Sequence, residues 1–239
     1  NKFGVSEKNF LELTKYVKNS KNLFLKCLSV HIGSQILDYR PYEKMLNVLK
    51  RIIRKSNHNF EYIDLGGGMG IDYNHNNKSL NLKRYSIFVE KFSKEFNSKI
   101  IFEPGRSIVG NSGLLISKII YIKEGYKKDF IIIDAAMNDL MRPALYNAHH
   151  KIVPLKKSKS KSKKIYEFVG PICESTDKFS TIKKFQKLNE NDFIAICDVG
   201  AYGMSLSSNY NVRPKPIELL IKNSKVQVIG RRQNLKDLI

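Results

Sequence analysis

The chain contains no tryptophan, few cysteines and no long hydrophobic run. Its three cysteines show no CxxC spacing and no even-numbered framework, which favours free thiols in a reducing compartment, so we expect a cytoplasmic protein. The apolar runs are short and interrupted by lysine, which excludes a membrane-spanning segment. The five histidines show no ligand spacing, so we expect no metal site.

Acidic residues are also scarce. Lysine and arginine number 42 against 22 aspartate and glutamate residues, a net charge of +20. Such a net positive charge is typical of proteins that bind nucleic acid. Much of it lies in the Lys/Ser-rich tract 151–164, where no aromatic side chains alternate with the basic ones. The tract is typical of a solvated loop between strands, and we expect no specific nucleic-acid binding.

The first half of the chain alternates helical and strand-like patterns, as in a parallel βαβ arrangement. The predicted helices cover residues 6–18, 42–55 and 84–96, and the predicted strands cover 23–31, 60–65 and 99–102. From Leu114 onward, short β-branched strands dominate. We therefore predict an α/β domain over residues 1–113 and a mostly β domain over residues 114–239.

Two glycine-bearing loops follow predicted strands. One is Asp64-Leu65-Gly66-Gly67-Gly68-Met69-Gly70, and the other is Glu103-Pro104-Gly105-Arg106. Backbone N–H groups approach an anion closely where no Cβ intervenes, so these glycines predict a phosphate-binding cradle. A carboxylate beside this cradle suits a protonated ring nitrogen in the ligand. Pyridoxal phosphate carries both a phosphate and such a ring nitrogen. We expect Gly67, Gly68 and Gly105 to contact the phosphate and Glu103 to contact the ring nitrogen.

Further motifs occur in a fixed order around these loops. They are His31-Ile32-Gly33-Ser34-Gln35, the segment 134–146 (DAAMNDLMRPALY), Gly170-Pro171-Ile172-Cys173-Glu174-Ser175, Gly200-Ala201-Tyr202-Gly203 and Ser208-Asn209-Tyr210-Asn211. The whole set resembles the diaminopimelate decarboxylases, which are fold-type III, alanine-racemase-like pyridoxal-phosphate enzymes. The resemblance runs from Asn1 to about Leu220.

The resemblance implies the C-terminal part of a (β/α)8 TIM barrel, followed by a mostly antiparallel β-barrel domain. Only about three barrel strands are predicted, whereas a complete barrel needs eight. The family's lysine that binds the cofactor covalently lies in a segment upstream of this sequence. We therefore expect that this chain alone is inactive.

The resemblance also implies further contacts to the cofactor. It places His31 against the cofactor ring, as a catalytic as well as a cofactor-binding residue. It also places Ser34 and Tyr202 at the phosphate, and Arg106 at the cofactor as well as at the substrate. The other four histidines lie in no such motif, and we expect them at the surface. They are His58, His75, His149 and His150.

The expected substrate is meso-diaminopimelate, which has an amino-acid group at each end. A site for it must hold a distal carboxylate and a distal ammonium group. Arg106 and Arg142 are the candidates for the carboxylate, and Glu174 is the candidate for the ammonium. Tyr146, four residues after Arg142, is expected to assist, and Tyr202 to lie beside the substrate.

Cys173 is the candidate proton donor, because Pro-Ile-Cys-Glu-Ser matches the family's catalytic segment and a thiol can serve as a general acid. In similar enzymes this Cys-Glu pair reaches the partner's cofactor, which implies a homodimer with shared active sites. Cys27 and Cys197 match no motif, and we expect them to be small buried side chains.

The predicted function is pyridoxal-phosphate-dependent decarboxylation of meso-2,6-diaminopimelate to L-lysine and CO2, the last step of lysine biosynthesis. One alternative is a decarboxylase of the same fold acting on carboxynorspermidine, ornithine or arginine. Another is a degenerate, non-catalytic basic protein that binds a partner or nucleic acid. The first alternative would not need Arg142, and the second would not keep Cys173 and Glu174 together with the cofactor motifs.

Overall fold

The computed structural model describes residues 2–239, so Asn1, where the resemblance begins, lies outside the described residues. Contacts group these residues into two units. The first holds the residues up to Asp72 and Asn76–Ile108, and the second holds Tyr73–His75 and Val109–Ile239. Within residues 2–239, every helix is too short or too polar to cross a bilayer.

The first unit is built on a parallel sheet of three short strands. In chain order its elements are α1 (Glu7–Lys18), β1 (Cys27–Ser29), α2 (Arg40–Ser56), β2 (Tyr62–Asp64), α3 (Leu82–Phe96) and β3 (Lys99–Ile101), after which comes the one-turn helix α4 (Arg106–Val109). The strands pair in the order β1-β2-β3. Since parallel neighbours need a crossover, α2 and α3 supply the two connections. The predicted alternation is confirmed.

The strands are shorter than predicted, and β1 shows why. The predicted run begins at Leu23, but Leu23 and Phe24 are exposed, so its first part packs against no core. The helices end much as predicted. The Ser6 hydroxyl accepts a hydrogen bond from the Asn9 N–H at 3.2 Å, as an N-cap does, and Asn97 ends α3 in a left-handed conformation.

The core of the first unit lies between the helices and the strands. Its fully buried side chains include Tyr42 of α2, Phe92 of α3 and Ile63 of β2. Burying each such side chain contributes on the order of 1.5–3 kcal/mol. The core therefore fixes the carboxyl ends of the three strands, where the glycine loops begin.

The second unit consists mainly of strands. They are β4 (Leu114–Lys123), β5 (Lys128–Ile133), β6 (Ile152–Pro154), β7 (Ile165–Val169), β8 (Lys178–Ile182), β9 (Phe193–Cys197), β10 (Glu218–Lys222) and β11 (Lys225–Gly230), with the short helix α5 (Arg142–Tyr146) before β6. Six of them form a sheet in the order β6-β9-β4-β5-β7-β8, and β10 pairs with β11 alone.

This six-stranded sheet is mixed. Four of its five neighbouring pairs are antiparallel, and β5 pairs with β7 in parallel. Among the described residues, β6 and β8 are its edge strands. Its core includes Ile119, Ile131 and Phe168. Residues 155–164 of the basic tract connect β6 to β7 and are mostly exposed, which confirms the predicted loop there. The prediction is wrong for Ile152–Pro154, which form β6, and Ile152 is buried.

Candidate active site

The loops that follow the three parallel strands lie side by side in the first unit. The Glu103 N–H donates to the Gly66 carbonyl at 2.9 Å, which joins the loops after β3 and β2. The Ile36 N–H donates to the Gly68 carbonyl at 2.9 Å, which joins the loops after β1 and β2. The prediction that the two glycine loops lie at neighbouring strand ends is confirmed.

Close packing of these loops explains two of the glycines. A Cβ on Gly67 would lie 2.3 Å from the Glu103 carbonyl oxygen, and one on Gly68 would lie 2.3 Å from the Gly33 carbonyl oxygen. Gly68 also has φ +85°, which side chains rarely adopt. Gly105 differs, because a Cβ there would meet no atom within 4 Å. Neighbouring backbone thus requires glycine at 67 and 68 but not at 105.

The middle loop also presents two backbone donors. Within residues 2–239, the N–H groups of Gly67 and Gly68 have no hydrogen-bond acceptor, although Gly67 is buried. Buried N–H groups are almost always paired in folded proteins. The preceding Gly66 N–H, in contrast, donates to the Asp64 carboxylate at 2.8 Å. Two adjacent unpaired donors fit a phosphate group, so the residues of this loop fit the phosphate of the predicted cofactor.

Tyr42 holds the middle loop by a hydrogen bond. It is not among the predicted site residues. Its hydroxyl donates to the Gly67 carbonyl at 3.1 Å. Burial raises the pKa of Tyr42 to about 12, so the hydroxyl keeps its proton at neutral pH. The sequence predicts only that Tyr42 occupies an apolar position on a helix. Its contact depends on the pairing of α2 with the loop, which no local pattern reveals.

The other predicted cofactor residues of this unit lie at the same sheet edge. His31 follows β1 and is exposed, and its Nδ1 lies 2.9 Å from the position that a Cβ on Gly66 would take. Ser34 and Glu103 are exposed, and the half-buried Arg106 begins α4. The structure therefore brings His31, the glycines and Glu103 together, and their roles toward the cofactor stay predictions.

In the second unit, Arg142 is buried against a histidine. Only 7% of Arg142 is exposed, and its Nη1 donates to Nε2 of His150 at 2.7 Å. His150 is 1% exposed, and its Nδ1 lies 2.9 Å from the Cys197 carbonyl oxygen. A carbonyl can only accept, so Nδ1 carries the proton and Nε2 accepts from the arginine. Burial lowers the pKa of His150 to about 4, which agrees with a neutral ring.

The prediction that His150 lies at the surface is therefore wrong. It has no motif around it, and its burial follows from the pairing of the next strand, β6, with β9. His149 is exposed as predicted, whereas His58 is half-buried and contacts the Leu25 carbonyl at 2.7 Å. The exposed His75 contacts the Asp198 carboxylate at 2.7 Å. In the described part of the chain, no three His, Cys, Asp or Glu residues group as metal ligands.

The loop that carries Cys173 and Glu174 folds around the buried Asp177. The Asp177 carboxylate accepts hydrogen bonds from the N–H groups of Met137 at 2.7 Å and Ile172 at 2.8 Å. Burial raises the pKa of this carboxyl group. A Cβ on Gly170 would lie 2.3 Å from the same carboxylate, so glycine is required there. The loop is thus anchored at both of its ends.

Two motifs of the second unit meet at this loop. The Tyr210 hydroxyl donates to Oε1 of Glu174 at 2.5 Å, and Asn211 Nδ2 lies 3.8 Å from Sγ of Cys173. The hydrogen bond to Glu174 raises the pKa of Tyr210. Both residues lie in the motif 208–211, which by itself predicts no role for either of them. Their contacts with Glu174 and Cys173 suggest a role for both residues.

Arg213 fixes the segment that carries Tyr210. Its Nε donates to Oδ1 of Asn138 at 3.0 Å, and its Nη2 donates to the Asp134 carbonyl at 2.6 Å. Asn138 is fully buried and also donates to the Ser208 carbonyl at 3.2 Å. Residues 134–139 therefore form a platform for the segment 208–213, which explains part of the long motif around Arg142.

The remaining predicted residues have different environments. Tyr146 ends α5 and is exposed, and Tyr202 is 46% exposed with φ +60°. Among the cysteines, Cys197 is buried as predicted, whereas Cys27 is exposed, so the prediction that Cys27 is buried is wrong. Cys27 lies on β1 and points away from the first unit's core because neighbouring strand residues alternate faces.

Comparison with known proteins gives one family and close relatives. The model of the family described as "Pyridoxal-dependent decarboxylase, C-terminal sheet domain" matches residues 16–200. The chain is 41% identical to diaminopimelate decarboxylase of Helicobacter pylori over 244 residues, covering 100% of this chain and 59% of the relative. It is 38% identical to that of Aquifex aeolicus, covering 98% of this chain and 56% of the relative.

A solved structure is also similar. The crystal structure of diaminopimelate decarboxylase from Helicobacter pylori complexed with L-lysine matches with a TM-score of 0.91 and 39% sequence identity, covering 100% of this chain and 59% of that chain. This chain therefore spans less than three fifths of the length of the relatives it matches.

Proposed function

Because the chain belongs to the pyridoxal-dependent decarboxylase family, we propose that the protein containing it decarboxylates meso-diaminopimelate to L-lysine and CO2. The observation that carries the proposal is the buried Arg142, held in place by His150. A fixed guanidinium suits a distal carboxylate, which simple diamine precursors lack. The relatives named diaminopimelate decarboxylase, 38% and 41% identical, support the same substrate.

The family depends on a pyridoxal cofactor, and several residues of the chain offer groups to hold one. The N–H groups of Gly67 and Gly68, with that of Gly105, would bind the phosphate, and Ser34 and Tyr202 would add hydroxyl groups. His31 would lie against the ring, and Glu103 would keep the ring nitrogen protonated. When bound, the ring accepts the electron pair that departing CO2 leaves behind.

The remaining proposed residues would hold the substrate and move the proton. Arg142, with Arg106 and Tyr146, binds the distal carboxylate, and Glu174 binds the distal ammonium. Tyr210 supports this role, because its hydroxyl restrains one Glu174 oxygen and leaves the other to accept from the substrate.

The Cys173 thiol gives a proton to the substrate carbon that has lost CO2, with Asn211 orienting the sulfur. Tyr202 lies beside the substrate.

We also propose the larger architecture that the resemblance implies. The three parallel strands belong to a TIM barrel, the mixed sheet belongs to a β-barrel domain, and the domains divide between residues 113 and 114. The protein works as a homodimer with shared active sites. The three free thiols support a reducing, cytoplasmic environment.

A substrate panel tests the proposed function. The full-length protein, supplied with pyridoxal phosphate, is assayed for CO2 release from meso-diaminopimelate, carboxynorspermidine, ornithine and arginine at equal concentrations. We expect turnover of meso-diaminopimelate alone. Faster turnover of ornithine or arginine would favour the alternative decarboxylases, and no turnover of any substrate would favour the non-catalytic alternative.

A further inference from the structure

We propose that His150 is the positioning residue for Arg142, and that it makes the site selective for a substrate with a distal carboxylate. The inference rests on the proposed function and deepens it. His150 does not touch the substrate in this account. It acts by fixing the plane and direction of the guanidinium group.

A chain of hydrogen bonds leads from the sheet through His150 to Arg142. The backbone carbonyl of Cys197 lies at the end of β9 and orients the imidazole through Nδ1 at 2.9 Å. Nε2 then faces Nη1 of Arg142 at 2.7 Å. Because the imidazole has only two nitrogen atoms, these partners define both its tautomer and its rotation. The sheet thereby determines where one corner of the guanidinium lies.

Arg142 and His150 both pack against Tyr73. The guanidinium carbon of Arg142 lies 4.7 Å from the centroid of the Tyr73 ring. The His150 ring meets Tyr73 edge-on, with centroids 5.1 Å apart and planes at 73°. One ring therefore limits the movement of both side chains. A guanidinium held at one corner and over one face keeps a single orientation for a bidentate contact.

His150 also preserves the positive charge of Arg142. A neutral imidazole accepts from the arginine without adding negative charge beside it. A carboxylate at position 150 would orient Arg142 equally well, but it would offset the positive charge that the substrate carboxylate needs. Histidine in its Nδ1-protonated form combines an acceptor for the arginine with a donor for the Cys197 carbonyl.

Two amide substitutions separate positioning from packing. In His150→Gln, the side-chain oxygen reaches about as far as Nε2 and can still accept from Arg142. In His150→Asn, the shorter amide can still donate to the Cys197 carbonyl but does not reach the arginine. Each variant is made in the full-length protein, with the unfolding temperature and cofactor absorbance as controls.

The readout is binding of two ligands by calorimetry, together with steady-state kinetics. L-lysine keeps the distal amino-acid group, whereas cadaverine lacks the carboxylate. We expect His150→Asn to weaken L-lysine binding and raise KM for meso-diaminopimelate about tenfold or more, which is the loss of one hydrogen bond to a charged group. Cadaverine binding should stay unchanged, and His150→Gln should recover most of the L-lysine affinity.

The outcomes separate the two proposals. Equal loss of both ligands in both variants would make His150 a packing residue and overturn the inference. L-lysine binding by His150→Asn as tight as by the wild type would also overturn it, while leaving the proposed function intact. A wild-type protein that neither binds L-lysine nor decarboxylates meso-diaminopimelate would defeat the proposed function, and this inference with it.

Discussion

At the scale of single residues, Arg142 is the side chain on which the proposed substrate depends. We predict that Arg142→Ala raises KM for meso-diaminopimelate about a hundredfold, because charge-assisted hydrogen bonds contribute about 1.5–3 kcal/mol each. Arg142→Lys keeps the charge but loses the planar fork, and a smaller rise, about tenfold, is expected. Steady-state kinetics of the full-length protein measures both. An unchanged KM in the alanine variant would remove Arg142 from the site.

Tyr210 offers a second test at this scale. Tyr210→Phe removes only the hydroxyl that contacts Glu174 at 2.5 Å. We predict that kcat/KM for meso-diaminopimelate falls about tenfold, since Glu174 loses one restraint. The unfolding temperature should not change, because both side chains are exposed. The matched control is Tyr126→Phe, at a tyrosine that is 97% exposed, and it should leave both quantities unchanged. Equal effects in both variants would argue against a role for Tyr210.

Residues with a motif around them could be proposed from the sequence as site candidates, and residues without one could not. Glu103, Cys173 and Glu174 stand in recognisable segments. His150 and Arg213 do not, since each gains its partner only when distant segments pair. A lone histidine near a basic tract carries no local sign of burial, and for this reason it was wrongly predicted to lie at the surface.

At the scale of elements, the glycine loops after β2 and β3 allow a glycine needed for packing to be distinguished from one proposed to bind the cofactor. A Cβ at Gly67 meets the Glu103 carbonyl at 2.3 Å, whereas one at Gly105 meets nothing within 4 Å. We predict that Gly67→Ala lowers the free energy of unfolding by about 1–3 kcal/mol, as overpacking does. Gly105→Ala should leave stability unchanged but weaken cofactor binding. Denaturant unfolding and cofactor titration of the full-length protein check these effects.

The two glycine variants can also contradict the account. Gly105→Ala with normal cofactor affinity would remove Gly105 from the proposed phosphate site. Gly67→Ala with wild-type stability would mean that the loops separate easily. Either result leaves the other glycine's role to be judged by itself.

The order of elements was largely predictable, and their exact lengths were not. Helical periodicity predicted α1 to α3 within a few residues. The strands β1 to β3 span three residues each, because pairing covers only the segments with a partner on the neighbouring strand. Local patterns report which residues favour a strand but not how far its partner extends. The parallel pairing of β5 with β7 was likewise not predicted.

At the scale of the whole molecule, His150 links stability to pH. Burial lowers its pKa from 6.5 to about 4, so folding favours the neutral ring. Its contribution is present above pH 6.5 and is lost as the pH falls from 6.5 toward 4, a loss of about 3 kcal/mol. We predict that the stability advantage of the wild type over His150→Gln shrinks by about this amount between pH 7 and pH 4.

Denaturant unfolding of both proteins at the two pH values measures the effect. Buried Asp139 and Asp177 have raised pKa values and act in the opposite direction, since folding favours their protonated forms. They are present in both proteins and cancel in the difference. An advantage that is independent of pH would show that the imidazole is not neutral and buried in solution.

The family could be predicted because several short motifs occur in one order along the chain. The match of the decarboxylase family model over residues 16–200 confirms that resemblance. Composition alone pointed elsewhere, since the net charge of +20 suggests nucleic acid. The contacts between the Cys173-Glu174 and Tyr210-Asn211 segments could not be predicted from the sequence, because they depend on the fold.

The most direct test of the central claim is a mass balance on the full-length protein with pyridoxal phosphate and meso-diaminopimelate labelled in both carboxyl groups. We predict that one labelled CO2 is released for each L-lysine formed, that the lysine keeps the other label, and that formation stops without the cofactor. Ornithine serves as the control and should release none. Absence of lysine, or faster release of CO2 from ornithine, would contradict the account.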